Sequence, residues 1–378
     1  MIALLLAALL AAPASAQVPT GPAGDAFYAP PAAVPARHGS PIWQRKLRGP
    51  VALKNAKSNR LLLYTSTATN GDAVAVSGTV AIPKGKPPKG GWPVISWAHG
   101  TTGIADACAP SRANALGGYD HTLLNRWLKA GYAVVQTDYE GLGTPGDHPY
   151  LIGVSEGRSV LDIVRAARKL DRRIGKRLLV AGHSQGGHAA LWAAALAPKW
   201  TPELKLRGTL AFAPASHIGD QAALLSALSQ PSAISGLAAL ILRGIDIARP
   251  DLNIAAALSD RAAALYPDIS TKCLGALAAP ASFGGIAPAE LIRPGTPIDP
   301  VVAALNANDP ETLRIRGPVR IEQGTADNVV FPNFTQALVS EIKADVAYKT
   351  YSGLDHGGVV VRRAPANDAT KFVTRRLG

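Results

Sequence analysis

The chain has 378 residues, 47% of them hydrophobic and 17% charged, with a formal charge of +13. That composition excludes a disordered chain and is enough to bury a sizeable core. The positive residues are dispersed, without the dense basic run and interleaved aromatics of a stacking groove, so no nucleic-acid partner is expected.

Residues 2–12 are almost wholly aliphatic, and Pro13-Ala14-Ser15-Ala16 follows as a small-residue cleavage signature. The stretch is too short to span a bilayer and reads as a signal peptide over residues 1–16, although no Lys or Arg precedes it. A secreted or periplasmic location is therefore expected, with no transmembrane segment. The basic surface leaves room for transient contact with a lipid surface. In an exported chain the only two cysteines, Cys108 and Cys273, read as a disulfide rather than as a metal or catalytic pair.

Residues 17–59 begin rich in Pro, Ala and Gly and read as an extended N-terminal arm. Residues 60–66 and 73–82 have strand composition and predict the antiparallel edge of a sheet. The next strand, 93–98, runs into His99-Gly100-Thr101-Thr102-Gly103. There Gly100 allows close backbone approach, and the Thr101 amide is a candidate oxyanion donor. His99 is expected to order this loop rather than react. A helix over 119–129 leads into a strand over 132–138 and a Gly/Pro-rich loop over 139–150. Tyr139 and Glu140 there are read as pocket-bordering or structural.

Gly-x-Ser-x-Gly occurs twice. Gly153-Val154-Ser155-Glu156-Gly157 opens an amphipathic helix, so Ser155 reads as a helix cap. Gly182-His183-Ser184-Gln185-Gly186 instead follows an apolar strand, Leu178-Leu179-Val180-Ala181, and precedes an Ala-rich helix. Strand, tight turn and helix together make a nucleophile elbow, with glycines where side chains would clash. Ser184 is the candidate nucleophile and the Gln185 amide the second oxyanion donor. His183 and His188 are read as flanking it in sequence only, with no zinc-ligand spacing.

After a strand over 208–213 the strand pattern stops, and residues 217–300 carry helical pieces at 221–229, 233–242, 254–266 and 271–279. This is too long for a crossover and predicts a helical cap over the pocket. The core resumes over 301–378, with a strand at 319–323, Asp327 in the loop after it, a helix over 333–343, a strand over 346–351 and His356 in the last loop. The order Ser, Asp, His makes Asp327 the expected acid and His356 the base. Asp355 is passed over because adjacent loop residues point in different directions. A helix over 368–376 closes the chain.

The fold class is α/β: an α/β-hydrolase fold, with a first core part over 60–216, the cap over 217–300 and a second core part over 301–378. The motifs around Trp97–Gly103, Cys108–Ser111, 138–157, Gly182–Gly187, Asp327 and Asp355-His356 resemble the secretory lipase family, the secreted lipases and esterases related to Candida antarctica lipase A. The resemblance implies a carboxylic ester hydrolase with a helical cap, and a disulfide joining Cys108 to the cap at Cys273. The expected function is serine-dependent hydrolysis of acyl esters, lipid-like or of short to medium chain, with no metal or organic cofactor. Peptide or amide hydrolysis, acyl transfer, or a catalytically silent binding role on the same fold are the alternatives.

Overall fold

Nine strands form one sheet in the order β1-β2-β3-β5-β4-β6-β7-β8-β9. They are β1 (Pro41–Lys46), β2 (Ala56–Thr67), β3 (Ala73–Pro83), β4 (Trp92–Ala98), β5 (Ala133–Thr137), β6 (Ile174–His183), β7 (Lys205–Phe212), β8 (Arg314–Gly324) and β9 (Lys343–Tyr351). This computed structural model describes residues 17–113 and 117–378, so the expected signal peptide lies outside the described residues. Pairing is antiparallel from β1 through β3 to β5 and parallel from there to β9. The chain has the α/β-hydrolase fold.

Segment 17–59 is more than an arm. It contributes β1 as an edge strand, and buries Phe27 and Tyr28 against Ile42 and Leu63. Only Ile42 and Trp43 mark β1 as apolar, too short a signal for a periodic reading.

Every residue of β4 is buried, as a parallel strand covered on both faces requires. Helices Gly153–Leu170 and Gln185–Trp200 cover one face, burying Val160, Ile163, Ala189 and Ala193. Helices His121–Lys129 and Arg363–Leu377 cover the other, burying Leu124, Trp127, Phe372 and Val373. Parallel register aligns the carboxyl ends: Ala98 pairs with Gly182, His183 with Phe212, and Gly324 with Tyr351. The loops that follow β4, β6, β8 and β9 therefore open on one rim, where open α/β sheets place their ligands.

Between β7 and β8 stands a helical cap with an apolar core of its own, including Leu240, Ile245, Phe283 and Ile286. It starts with helix Ile218–Leu225 and ends with helix Asp299–Asn306, which carries it past residue 300. Its two stalks meet at the base. His217 takes a left-handed turn at φ 50°, and both Asp309 carboxylate oxygens accept the Ile218 amide, at 2.9 and 3.0 Å. The helix expected over 254–266 is broken into Ile254–Ala257 and Asp260–Leu265, followed by a 3₁₀ turn at Tyr266–Ser270. Ser259 causes the break: its hydroxyl accepts the Ala262 amide at 3.2 Å and starts a new helix.

Candidate active site

β6 ends at His183, and Ser184 follows with φ 58° and ψ −119° before helix Gln185–Trp200 begins. A non-glycine residue in this region stores roughly 1–3 kcal/mol of strain. β7 and the loop after it hold it there: the Ser184 amide donates to Phe212 O at 2.9 Å, and Ser184 O accepts the Ala215 amide at 3.2 Å. The flanking glycines are obligatory. A Cβ on Gly182 would lie 2.1 Å from Gly186 O, and one on Gly186 would lie 1.9 Å from Ala98 O.

Two late loops bring Asp327 and His356 together. His356 Nδ1 donates to Asp327 Oδ2 at 2.8 Å. The Asp327 carboxyl also accepts the Val329 and Val330 amides, each at 2.9 Å, and Gln323 Nε2 at 3.0 Å. Burial pushes this carboxyl up, but the hydrogen bond and charge of His356 and the two amides outweigh burial and hold it below the usual carboxylate range. Asp355 turns away, its Oδ1 accepting the Gly358 amide at 2.8 Å. Gln323 was silent in the sequence; buried at the end of β8 and bonded to the Thr335 hydroxyl at 2.8 Å, it orients the carboxylate.

The Ser184 hydroxyl lines a cavity and has no hydrogen-bond partner among the described residues. No hydrogen bond joins it to His356. What ties the His356 loop to the elbow is His183. Its Nε2 donates to His356 O at 2.9 Å, and the two imidazole rings lie 4.5 Å apart.

Thr101 and Gln185 flank the elbow, and the structure shows neither amide donating to an acceptor among the described residues. The Thr101 hydroxyl meets the Tyr150 hydroxyl at 2.6 Å. Beneath this loop His99 Nδ1 donates to Gly100 O at 2.7 Å, and the Tyr139 hydroxyl donates to His99 O at 2.9 Å. Burial lowers His99 to about 4, so it is neutral at ordinary pH and orders the loop. Tyr139 is fully buried and Glu140 bonds the Ser155 hydroxyl, so both act below the site. Ser155 is therefore not a helix cap: it lies inside helix Gly153–Leu170, whose cap position is Ile152.

Gln185 Nε2 donates to Glu156 Oε1 at 2.8 Å and to His148 Nε2 at 2.9 Å. Glu156 in turn accepts His188 Nδ1 at 2.8 Å, and His188 Nε2 donates to Asn308 O at 2.8 Å. His188 thus faces two acceptors and belongs to a buried network, not merely to the sequence flank. Neither its spacing nor its helix position signals this, because its partners lie in other elements.

Cys108 and Cys273 are bonded, with 5.5 Å between their Cα atoms. The Leu274 amide donates to Thr102 O at 2.8 Å, so the cap is fastened directly to the loop that carries Thr101. Above Ser184 the cap encloses a cavity of about 480 Å³ whose lining includes Ile218, Leu225, Leu237, Ile241 and Leu291. Leu224, Leu228, Ile298 and Phe331 are exposed, and the last three also line this cavity. Among the described residues no helix is long and apolar enough to cross a membrane, and no cluster of three His, Cys, Asp or Glu is arranged to hold a metal ion.

A sequence model described as secretory lipase matches residues 110–283. Lipase A of Moesziomyces aphidis is 30% identical over 275 residues, 67% of this chain and 56% of that protein, so the chain spans little more than half the length of this relative. The X-ray structure of Candida antarctica lipase A is similar at a TM-score of 0.71 and 24% identity, over 85% of this chain and 78% of that one. The rice cell wall degrading esterase LipA from Xanthomonas oryzae is similar at a TM-score of 0.74 and 19% identity, over 90% of this chain and all (100%) of that one. At these identities the two structures bear on the fold alone.

Proposed function

Because the chain belongs to the secretory lipase family, we propose that it is an exported serine hydrolase of carboxylic esters. What supports this above all is the 2.8 Å contact between His356 and Asp327, held beside an elbow whose serine sits at φ 58°. In this reading His356 Nε2 takes the proton as Ser184 Oγ attacks the acyl carbon. Asp327 fixes the Nδ1–H tautomer and stabilises the imidazolium. The Thr101 and Gln185 amides receive the tetrahedral oxyanion, where each donor is worth about 3 kcal/mol. Collapse expels the alcohol, protonated by His356. Water then attacks the acyl-enzyme by the same route, releasing the acid and restoring Ser184.

The cavity over Ser184 takes the acyl chain. Its volume of about 480 Å³ and its aliphatic lining fit an acyl group of short to medium length better than a charged or peptide one. The exposed apolar side chains at its margin suit transient contact with aggregated ester. Export is supported by the Cys108–Cys273 bond, which persists in oxidising compartments.

The deciding experiment is Ser184→Ala assayed on p-nitrophenyl esters, together with labelling of the wild-type chain by a serine-directed phosphonate. The expected result is a kcat lower by about three decades or more at unchanged melting temperature, with the phosphonate on Ser184. Ordinary ester turnover by the variant would overturn the assignment.

A further inference from the structure

His183 lies between Gly182 and Ser184 at the end of β6, and nothing in the reaction above uses it. Yet it is buried, with both ring nitrogens engaged. A carbonyl only accepts, so Nε2 carries the hydrogen it donates to His356 O at 2.9 Å. Nδ1 is then the lone pair that accepts the Tyr119 hydroxyl at 3.0 Å.

The remaining ties of the His356 loop run to the neighbouring loop. The Gly353 amide donates to the Thr325 hydroxyl at 2.9 Å, and the Ala326 amide donates to Leu354 O at 3.0 Å. These bonds, with that between Asp327 and His356, place the imidazole relative to its carboxylate. They do not place it relative to Ser184. Among the described hydrogen bonds, His183 to His356 O is the one joining the elbow strand directly to the base loop.

We infer that His183 is a positioning residue: through the His356 carbonyl it sets the register of the base against the nucleophile next to it in sequence. The inference rests on the proposed roles of Ser184 and His356. A second consequence follows from the closeness of the two rings, 4.5 Å between centroids and tilted by 41°. His356 becomes a cation as Ser184 attacks, and a neutral ring beside it does not oppose that charge. Burial first, and the neighbouring His356 second, hold His183 down to about 3, so it stays neutral throughout. Tyr119 completes the relay by fixing the tautomer.

Three variants test this on soluble esters: His183→Phe keeps a flat ring without the donor, His183→Gln keeps a side-chain N–H, and Tyr119→Phe frees the tautomer. Misplacement on the order of 1 Å costs about 100-fold. His183→Phe is therefore expected to lower kcat by roughly 10- to 100-fold with KM within about twofold, and to slow phosphonate labelling of Ser184 equally. His183→Gln is expected to recover most of that loss, and Tyr119→Phe to cost a few-fold. A wild-type kcat in His183→Phe would overturn the inference, as would an equal loss in the Phe and Gln variants. Should His183→Phe fail to fold, an unrestored kcat in His183→Gln at wild-type melting temperature, or no loss in Tyr119→Phe, overturns it. An active Ser184→Ala would instead remove the reading beneath it, so the two failures are distinguishable.

Discussion

Glu156 and His188 form an ion pair at 2.8 Å in which neither side chain is exposed to solvent at all. It lies directly behind the elbow, because the same carboxylate also accepts the Gln185 side chain. Burial pushes Glu156 up and His188 down, but their mutual hydrogen bond and attraction reverse both, leaving Glu156 lowered and His188 raised. The sign follows from linkage. The His188 contribution is complete below its unfolded value and lost as pH rises through its raised folded value. The Glu156 contribution is present above its unfolded value and lost as pH falls through its lowered folded one. Glu156→Gln should flatten both limbs of stability against pH and cost about 3–5 kcal/mol near neutrality. Urea denaturation across the pH range measures both.

Asp327 and Asp355 offer a sharper comparison. Asp327→Asn should lower kcat by roughly 10⁴-fold while leaving KM nearly unchanged, since the neutral amide favours the wrong imidazole tautomer. Asp355→Asn removes only a turn at the Gly358 amide and should leave kcat within about twofold. Steady-state kinetics of the two side by side assign the acid.

The Cys108–Cys273 bond closes a loop of sequence separation 165. The chain-entropy model gives such a closure at most about 5 kcal/mol. Replacing both cysteines by serine should lower the melting temperature. It should also reduce kcat, because the same cap segment holds Thr102 O. Thermal melts with and without reductant, compared with the double variant, check this.

The cavity over Ser184 can be filled from the cap. Ile241 stands on helix Ile234–Ala248 and lines the cavity. Ile241→Trp should leave acetate and butyrate esters nearly untouched. It should cut kcat/KM for longer chains by about fourfold for each methylene excluded, at roughly 0.8 kcal/mol each. A chain-length series under soluble conditions measures the break point.

The tight turn at Ser184, the loops that carry Asp327 and His356 and the cap were legible because each has a local signature. Glycines bracket Ser184, strands of alternating apolar and polar residues precede Asp327 and His356, and strand spacing fails between β7 and β8. The supporting shell was not legible. His183 meets His356 across 173 residues, and His188 meets Asn308 across 120. No local pattern encodes contacts at such separations; the packing of loops and helices distant in the chain creates them. Ser155 failed for a related reason. A serine near a helix start suggests a cap, but here a buried Glu140 takes the hydroxyl instead. The weak strand β1 was missed because a two-residue apolar signal carries no period.

The cap leaves and rejoins the core at one latch, where the Asp309 carboxylate grips the Ile218 amide, and a cysteine staple fastens its middle. It is thus a module gripped at its stalks and pinned midway above the sheet. A different roof grafted onto those stalks, bearing a cysteine at the staple, would reshape the cavity over Ser184 without redrawing the loops underneath.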